Sequence, residues 1–289
     1  MKNLSFQQII MHLQQFWSNK GCAILQPYDI EVGAGTFHPA TVIKLLGPNS
    51  WHVAYVQPSR RPADSRYGCH PNRLQQYYQF QVIIKPSPDD TQALYLQSLE
   101  YLNINTKTND IRFVEDDWQS PTLGASGLGW EVWCNGMEIS QITYLQQIAS
   151  IECNPIPIEI TYGLERLAMY IQKVDDIKLI NWHNQSDLTY EMVNLENEQQ
   201  FSAYNRKYAN IKILFKQFEE AEQQCQYLVK QNLPLPAYDF CLKASHLFNL
   251  LDSRGVIGTA QRTNYITRVR NLVQIVCNEY RKNLNLLNA

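Results

Sequence analysis

Four arginines, Arg60, Arg61, Arg66 and Arg73, fall within one short polar stretch. A guanidinium presents a planar fork of donors that matches carboxylate and phosphate oxygens, so arginines grouped in one loop point to an anion site. Pro58 and Pro62 stiffen the stretch, and a stiff loop aims its side chains. The alternative is a solvated charged turn. A second group, Glu159-Ile160-Thr161-Tyr162-Gly163-Leu164-Glu165-Arg166, runs from a strand into a helix across a glycine. Glu165 suits the positive end of the helix, whereas Arg166 opposes it and is placed to recruit an anion beside the helix N-terminus. Its alternative is a surface ion pair with Glu165 or Glu159. Glu115-Asp116-Asp117 precede Trp118, and Glu131, Glu138 and Gln141 follow. Carboxylates at strand ends can hold Mg²⁺ together with nucleotide phosphates. Tyr77, Tyr78, Phe80 and Trp118 are core residues or base-stacking platforms near these charges.

Other chemistries lack their motifs. The chain has no G-x-x-x-x-G-K-[ST] phosphate loop, no G-x-S-x-G elbow and no H-E-x-x-H zinc helix.

The elements that must position these residues can be read from periodicity. Ser5 and Gln8 have capping-box spacing, and Phe6, Ile9, Ile10, Leu13, Phe16 and Trp17 make a helical stripe that stops at Gly21. Strands are expected at Val53–Gln57 and Tyr77–Ile84, flanking the arginine loop. Ser87-Pro88-Asp89-Asp90 predicts a helix with proline at its first position, ending near Leu102. Residues 111–115 and 130–148 predict strands separated by the glycine-rich piece 124–129, and Ile156–Thr161 predicts another. Strands in runs with few crossover helices indicate an α+β plan, an antiparallel sheet flanked by helices. Residues 173–209 read as a polar linker or insertion. From residue 210 to 289 three helical stripes follow, broken at Pro234 and Pro236 and again at Gly255, which predicts a helical bundle. The division is thus 1–172, 173–209 and 210–289.

The 289 residues are 45% hydrophobic, enough for a large core, with a formal net charge of -2. A chain that gripped nucleic acid mainly by its own surface would be basic, so a local patch or a second chain must do that work. The seven cysteines are scattered, without C-x-x-C, and read as reduced thiols. No apolar run approaches a membrane span, and the N-terminus lacks signal-peptide form. A cytoplasmic protein without membrane contact is expected.

Together these parts resemble the class II aminoacyl-tRNA synthetases; the class I signatures, H-I-G-H and K-M-S-K-S, are absent. The arginine loop between strands resembles motif 2, Gly163-Leu164-Glu165-Arg166 resembles motif 3, and Phe6–Pro27 resembles the looser motif 1 of the dimer interface. Within that class, Gln26–Asp29, Gly33–Thr41, Tyr55–Pro62, Phe113–Trp118, Tyr162–Tyr170, Leu235–Asp239 and Phe248–Asp252 resemble the bacterial glycyl-tRNA synthetase alpha subunit family. The likeness runs through nearly the whole chain, with departures at Gln76 and Ser126.

The resemblance implies an aminoacyl-tRNA ligase that uses ATP and Mg²⁺ to make glycyl-adenylate and passes glycine to tRNA(Gly). It also implies an alpha–alpha homodimer within an α₂β₂ assembly, whose large glycyl-tRNA synthetase beta subunit recognises most of the tRNA. On that reading Arg60 holds the α-phosphate and the glycine carboxylate, and Arg73 and Arg166 hold the outer phosphates. Phe80, or else Tyr78, stacks on adenine. Glu138 and Glu131 bind phosphate-bridging Mg²⁺. Thr36, Gln79, Gln81, Glu115, Trp118, Gln141 and Glu159 form the glycine pocket. Two rival readings are a related fold that makes an adenylate for another acceptor, and a non-catalytic RNA-binding or assembly module built on the helical half.

Overall fold

Ser5 starts the first helix: its hydroxyl accepts from the Gln8 backbone N–H at 3.3 Å and the Gln8 side chain accepts from Ser5 N–H at 3.1 Å. The computed structural model, which describes residues 3–287, continues from this cap through α1 (Phe6–Asn19). Phe6, Ile9, Leu13, Phe16 and Trp17 of the expected stripe are buried. The remaining helices are α2 (Pro39–Val42), α3 (Thr91–Tyr101), α4 (Leu164–Gln172), α5 (Tyr190–Ala203), α6 (Ile211–Lys230), α7 (Pro234–Ser253) and α8 (Thr259–Leu287). Helix α3 begins later than proline placement predicts. Asp90 occupies its N-cap and the Thr91 hydroxyl donates to Pro88 O, so Pro88 belongs to the turn before the helix.

The strands are β1 (Ala23–Ile24), β2 (Trp51–Arg60), β3 (Gln76–Lys85), β4 (Ile111–Ser120), β5 (Ala125–Cys134), β6 (Met137–Ile148), β7 (Ile151–Glu152) and β8 (Ile158–Gly163). They form one sheet in the order β1-β2-β3-β8-β6-β5-β4, with β7 on β6, and every pairing except β1 with β2 is antiparallel. This is the α+β plan the strand pattern predicts. One expectation fails locally. The glycine-rich piece 124–129 does not separate strands; Gly127 and Gly129 lie inside β5. Backbone of β6 approaches so closely that a Cβ on Gly129 would stand 1.9 Å from Ile142 O, and one on Gly127 2.4 Å from Tyr144 O.

Each face of the sheet carries its own core. On one, Ala54, Phe80, Val82, Ile142, Ile160 and Tyr162 pack against α1, α3 and α4. On the other, Val53, Tyr55, Ile83 and Leu145 pack with Phe218, Tyr238, Phe248 and Val273 of the C-terminal helices. The stretch 173–209, read as a polar linker or insertion, contains α5 and a π-helical turn at Tyr204–Tyr208. Three of its polar residues, Glu198, Ser202 and Asn205, are buried. Among the described residues no helix is long and apolar enough to cross a membrane.

Gly129→Ala should lower the urea midpoint of the chain by the equivalent of about 1–3 kcal/mol, the usual cost of overpacking. Gly258→Ala, where nothing lies within 4 Å of the new methyl, should not. Equal midpoints for the two variants would refute the close approach of β5 and β6.

Candidate active site

Side-chain alternation along the strands decides what this site contains. Tyr55, Gln57 and Ser59 of β2 stand opposite Gln81, Gln79 and Tyr77 of β3. Gln79 and Gln81 in turn stand opposite Gly163 and Thr161 of β8, Thr161 opposite Gln141 of β6, and Gln141 opposite Glu131 of β5. The result is one polar face. Its apolar continuation, Val53, Tyr55 and Ile83, lies under the C-terminal helices. Its polar part opens into a cleft of about 370 Å³ lined by Arg61, Arg73, Tyr77, Gln79, Glu131, Glu138, Gln141, Thr161, Glu165 and Arg166, among others.

The cleft therefore gathers Arg73, Arg166, Glu131, Glu138, Gln79 and Gln141 from distant parts of the chain. Glu138 arrives there through a β-bulge. Val132 pairs with Ser140 but Trp133 pairs with Glu138, so Ile139 is an extra residue. That slip lets Glu138 and Gln141, three apart, reach the same cleft. Arg166 donates to Glu138 Oε2 at 2.5 Å rather than to Glu165 or Glu159. Arg73 lies 3.9 Å from Asp64. Glu131 accepts from the Trp133 indole at 3.0 Å.

Eight expected residues do not line the cleft: Thr36, Gln81, Trp118 and Glu159 lie beside or beneath it, and Arg60, Tyr78, Phe80 and Glu115 fall away from it. Arg60 leaves the cleft and lies over the Phe201 ring at 4.6 Å. Its neighbour Arg61 takes the place in the cleft and covers the Tyr77 ring at 4.8 Å. The strand period separates the two: Ser59 faces the site, Arg60 does not, and Arg61 does. The same period removes Phe80, which is fully buried in the opposite core. Tyr78 shares that side, edge-on to Phe6 and Trp182. The aromatic ring lining the cleft is Tyr77, one residue along. Glu115 pairs with Trp130 and is exposed, while Asp116 stands opposite Gly129 and accepts from the Gln141 amide at 2.5 Å. The sequence contains all these alternatives side by side, and only strand register distinguishes them. Trp118 lines a neighbouring cavity of about 350 Å³ with Gly33, Thr36 and Phe37, and that cavity shares Arg61 and Asp64 with the cleft.

Beneath the cleft floor Glu159 is 2% exposed. The Thr36 hydroxyl donates to Glu159 Oε2 at 2.9 Å and the Gln81 amide donates to Oε1 at 3.2 Å. Thr161 donates its hydroxyl hydrogen to Gln81 Oε1. Thr161 thus lines the cleft as a candidate acceptor, linked through Gln81 to the buried carboxylate. Burial raises the Glu159 carboxyl to about 7 against the pull of its Thr36 hydrogen bond. Glu165 is likewise raised to about 7 by burial, although Tyr190 and the Tyr78 backbone N–H donate to it, each at 2.8 Å. The loop 33–37 closes on this network. Gly35 N–H donates to Gln79 Oε1 at 2.7 Å, and a Cβ on Gly35 would lie 2.4 Å from the Gln81 side chain.

The cleft thus presents three guanidinium groups, from Arg61, Arg73 and Arg166, and four carboxyls, from Asp64, Glu131, Glu138 and Glu165. Ion pairing satisfies several of them in the free chain, and an incoming polyphosphate would exchange those partners. Among the described residues no group of three or more His, Cys, Asp or Glu could hold a metal by itself. Glu131 and Glu138 provide two carboxylates at one wall, the donor set with which Mg²⁺ is commonly held when phosphates and water complete its shell.

The model of the family "Glycyl-tRNA synthetase alpha subunit" matches residues 6–285. The glycine–tRNA ligase alpha subunit of Rickettsia akari (strain Hartford) is 64% identical over 280 residues, 96% of this chain and 97% of its own. That of Rickettsia canadensis (strain McKiel) is 62% identical over 283 residues, 97% and 98% of the two chains. Among solved structures, the pyrrolysyl-tRNA synthetase PylSc of Desulfitobacterium hafniense aligns with a TM-score of 0.43 at 11% identity, over 62% of this chain and 73% of that one, a likeness too distant to bear on fold or function. Matched along nearly its whole length, the chain belongs to the glycyl-tRNA synthetase alpha subunit family.

Proposed function

We propose that the cleft is where this alpha subunit, an aminoacyl-tRNA ligase chain by family, joins glycine to ATP. The glycine carboxylate oxygen attacks the α-phosphorus, the bond to the bridging oxygen breaks, and pyrophosphate leaves with that electron pair. The terminal ribose hydroxyl of tRNA(Gly) then attacks the acyl carbon, the acyl–phosphate bond breaks, and AMP leaves with that electron pair. The first step needs little proton transfer by protein groups, so positioning and neutralisation of charge dominate. The single observation that carries this reading is the convergence of Arg61, Arg73 and Arg166 on one cleft.

Arg61 replaces Arg60 as the group for the α-phosphate and carboxylate, beside the glutamines of β3. Arg73 and Arg166 hold the outer phosphates. Leu74, Ile177 and Tyr77 offer the apolar wall for adenine. Glu131 and Glu138 would hold Mg²⁺, which when bound would neutralise phosphate charge. The glycine ammonium donates to Thr161 Oγ1 and to the glutamine oxygens, and the Glu159 charge stabilises it from below through Gln81. The loop around Gly35 packs so closely on Gln81 that a Cβ there would clash, and this packing is the proposed barrier to a substrate side chain. Rejecting bulkier amino acids in this way needs no editing site.

Residues 1–172 supply nearly all of the adenylating unit, with Ile177 added from 173–209, and the rest of that stretch and the helices of 210–289 are its supports. The family and relatives carry the alpha-subunit name, which favours a partner beta subunit that grips most of the tRNA, in a cytoplasmic α₂β₂ assembly. The net charge of -2 accords with that division of labour.

In glycine-dependent ATP–pyrophosphate exchange, Arg61→Ala and Arg166→Ala should each lose roughly 100-fold or more, the scale of removing a transition-state donor. Arg60→Ala should lose far less; a loss as large as that of Arg61→Ala would overturn the assignment. Glu159 makes a pH prediction. Its folded carboxyl, at about 7, holds a proton that the unfolded chain releases near the ordinary 4.5. Stability of the free chain therefore falls as pH rises between those values. Ammonium binding requires the ionised form, so the glycine KM should rise as pH drops below 7. Glu159→Gln should remove that rise, increase the glycine KM about tenfold or more for a lost charged contact, and leave the chain at least as heat-stable at pH 8. A glycine KM in Glu159→Gln equal to wild type would exclude Glu159 from the pocket.

A further inference from the structure

Helix α5 and the π-helical turn after it supply none of the groups just assigned, yet they bury an unusual set of polar side chains. Glu198 is 2% exposed, Ser202 0% and Asn205 2%. All three are spent on the backbone and side chains of the arginine loop, residues 61–75. The loop neck is closed by Arg61 N–H donating to Gln75 O at 2.7 Å. At that neck Gln75 N–H donates to Glu198 Oε2 at 2.9 Å. The other oxygen, Oε1, accepts from the Ser202 hydroxyl at 3.1 Å, and Ser202 Oγ accepts from Tyr67 N–H at 3.0 Å. The backbone N–H groups of Arg66 and Gln76 also face the Glu198 carboxylate. Asn205 donates to Ser65 Oγ at 3.0 Å and to Gln75 Oε1 at 3.4 Å.

Packing repeats the message. Gly68, at φ +73, stands where a Cβ would be 2.3 Å from Leu195 of α5. Arg60 lies over Phe201 of the same helix. Arg206, in the π-helical turn, donates to Ala63 O on the loop and to Ser253 O at the end of α7.

Apart from a short turn at Pro62–Asp64 the loop has no secondary structure of its own. Ordering such backbone costs about 1–2 kcal/mol per residue. If that cost fell on substrate binding, ATP affinity would drop accordingly. The loop carries Arg61, Asp64, Asn72, Arg73 and Leu74 into the cleft. A carboxylate is an acceptor only, and here it is surrounded by donors from both sides of the neck.

We propose that Glu198 is a positioning residue for ATP: by binding the backbone of both sides of the loop neck, it sets Arg61 and Arg73 in the cleft before the nucleotide arrives. This rests on the reading of the cleft as the ATP site. Glu198 acts through the loop backbone and touches no substrate.

The test uses the chain assembled with its larger partner, in pyrophosphate exchange with ATP and glycine varied separately. Glu198→Gln places an amide donor against backbone donors. It should raise the ATP KM about tenfold, the equivalent of roughly 1.4 kcal/mol, and the glycine KM by a smaller factor, because Arg61 also meets the glycine carboxylate whereas Arg73 meets only phosphate, while the rate at saturating ATP and glycine stays within about twofold. Glu198→Asp keeps the charge and should recover part of the loss. Ser202→Ala, which removes a neutral bond from the same carboxylate, should raise the ATP KM by a smaller factor. If Glu198→Gln fails to fold by circular dichroism, Ser202→Ala decides. An unchanged ATP KM in the folded variants, or a glycine KM that rises as much as or more than the ATP KM, overturns the proposal. Arg61→Ala and Arg73→Ala run in parallel. If they too leave the ATP KM unchanged, the cleft is not the ATP site and the earlier reading fails; if they raise it while Glu198→Gln does not, only the role of Glu198 fails.

Discussion

The pairing of β3 between β2 and β8 is the constraint on which this molecule rests. Because strand side chains alternate, one register sends Tyr77, Gln79 and Gln81 to the cleft and Tyr78, Phe80 and Val82 to the opposite core. A slip of one residue would place phenylalanine on the floor of the site and glutamine in the oil. The core on the far side therefore holds the site in register: Phe80 against Tyr162, and both against the helices that cover them, make the slip expensive. The opposite face is shared. Its apolar end is sealed by the C-terminal helices and its polar end stays open, so the same strands both anchor α6–α8 and present the chemistry.

Three buried carboxyls mark the layers around that floor. Glu159 lies beneath it, Glu165 beside it, and Glu198 behind the arginine loop. Burial pushes all three above the ordinary carboxyl range, which costs stability when they ionise. Each is matched to donors that an apolar replacement could not use. Glu165 joins β3 to α5 by accepting from Tyr78 N–H and the Tyr190 hydroxyl, and so helps fix where helix α4 presents Arg166. The strain of these sites is tolerated because the two apolar cores supply the stability.

The bulge at Ile139 and the close approach at Gly127 and Gly129 show how local irregularity serves placement. Without the extra residue, Glu138 and Gln141 would point to opposite faces, and the partner of Arg166 would lie in the core. The two glycines let β5 draw against β6 where any side chain would meet a carbonyl oxygen. The bulge leaves no mark in residue types, and the glycines mimic a turn, which is why residues 124–129 read as a break between strands.

The sequence by itself determined the elements and the inventory. Capping spacing at Ser5–Gln8, the stripes of α1, α6 and α8, the β-branched and aromatic runs, and the Gly163–Arg166 junction all follow from interactions among near neighbours, which a local reading can weigh. Tertiary structure alone decided which of two adjacent residues faces the cleft: Arg61 and not Arg60, and Tyr77 and not Tyr78 or Phe80, line it, while Asp116 and not Glu115 accepts from Gln141. It also decided that a polar stretch read as a linker or insertion would form α5 and bury Glu198 and Ser202. The physical reason is the same in each case. Facing is set by register against a strand or loop far away in the chain, and polarity says that a group needs a partner without saying whether the partner is water or protein.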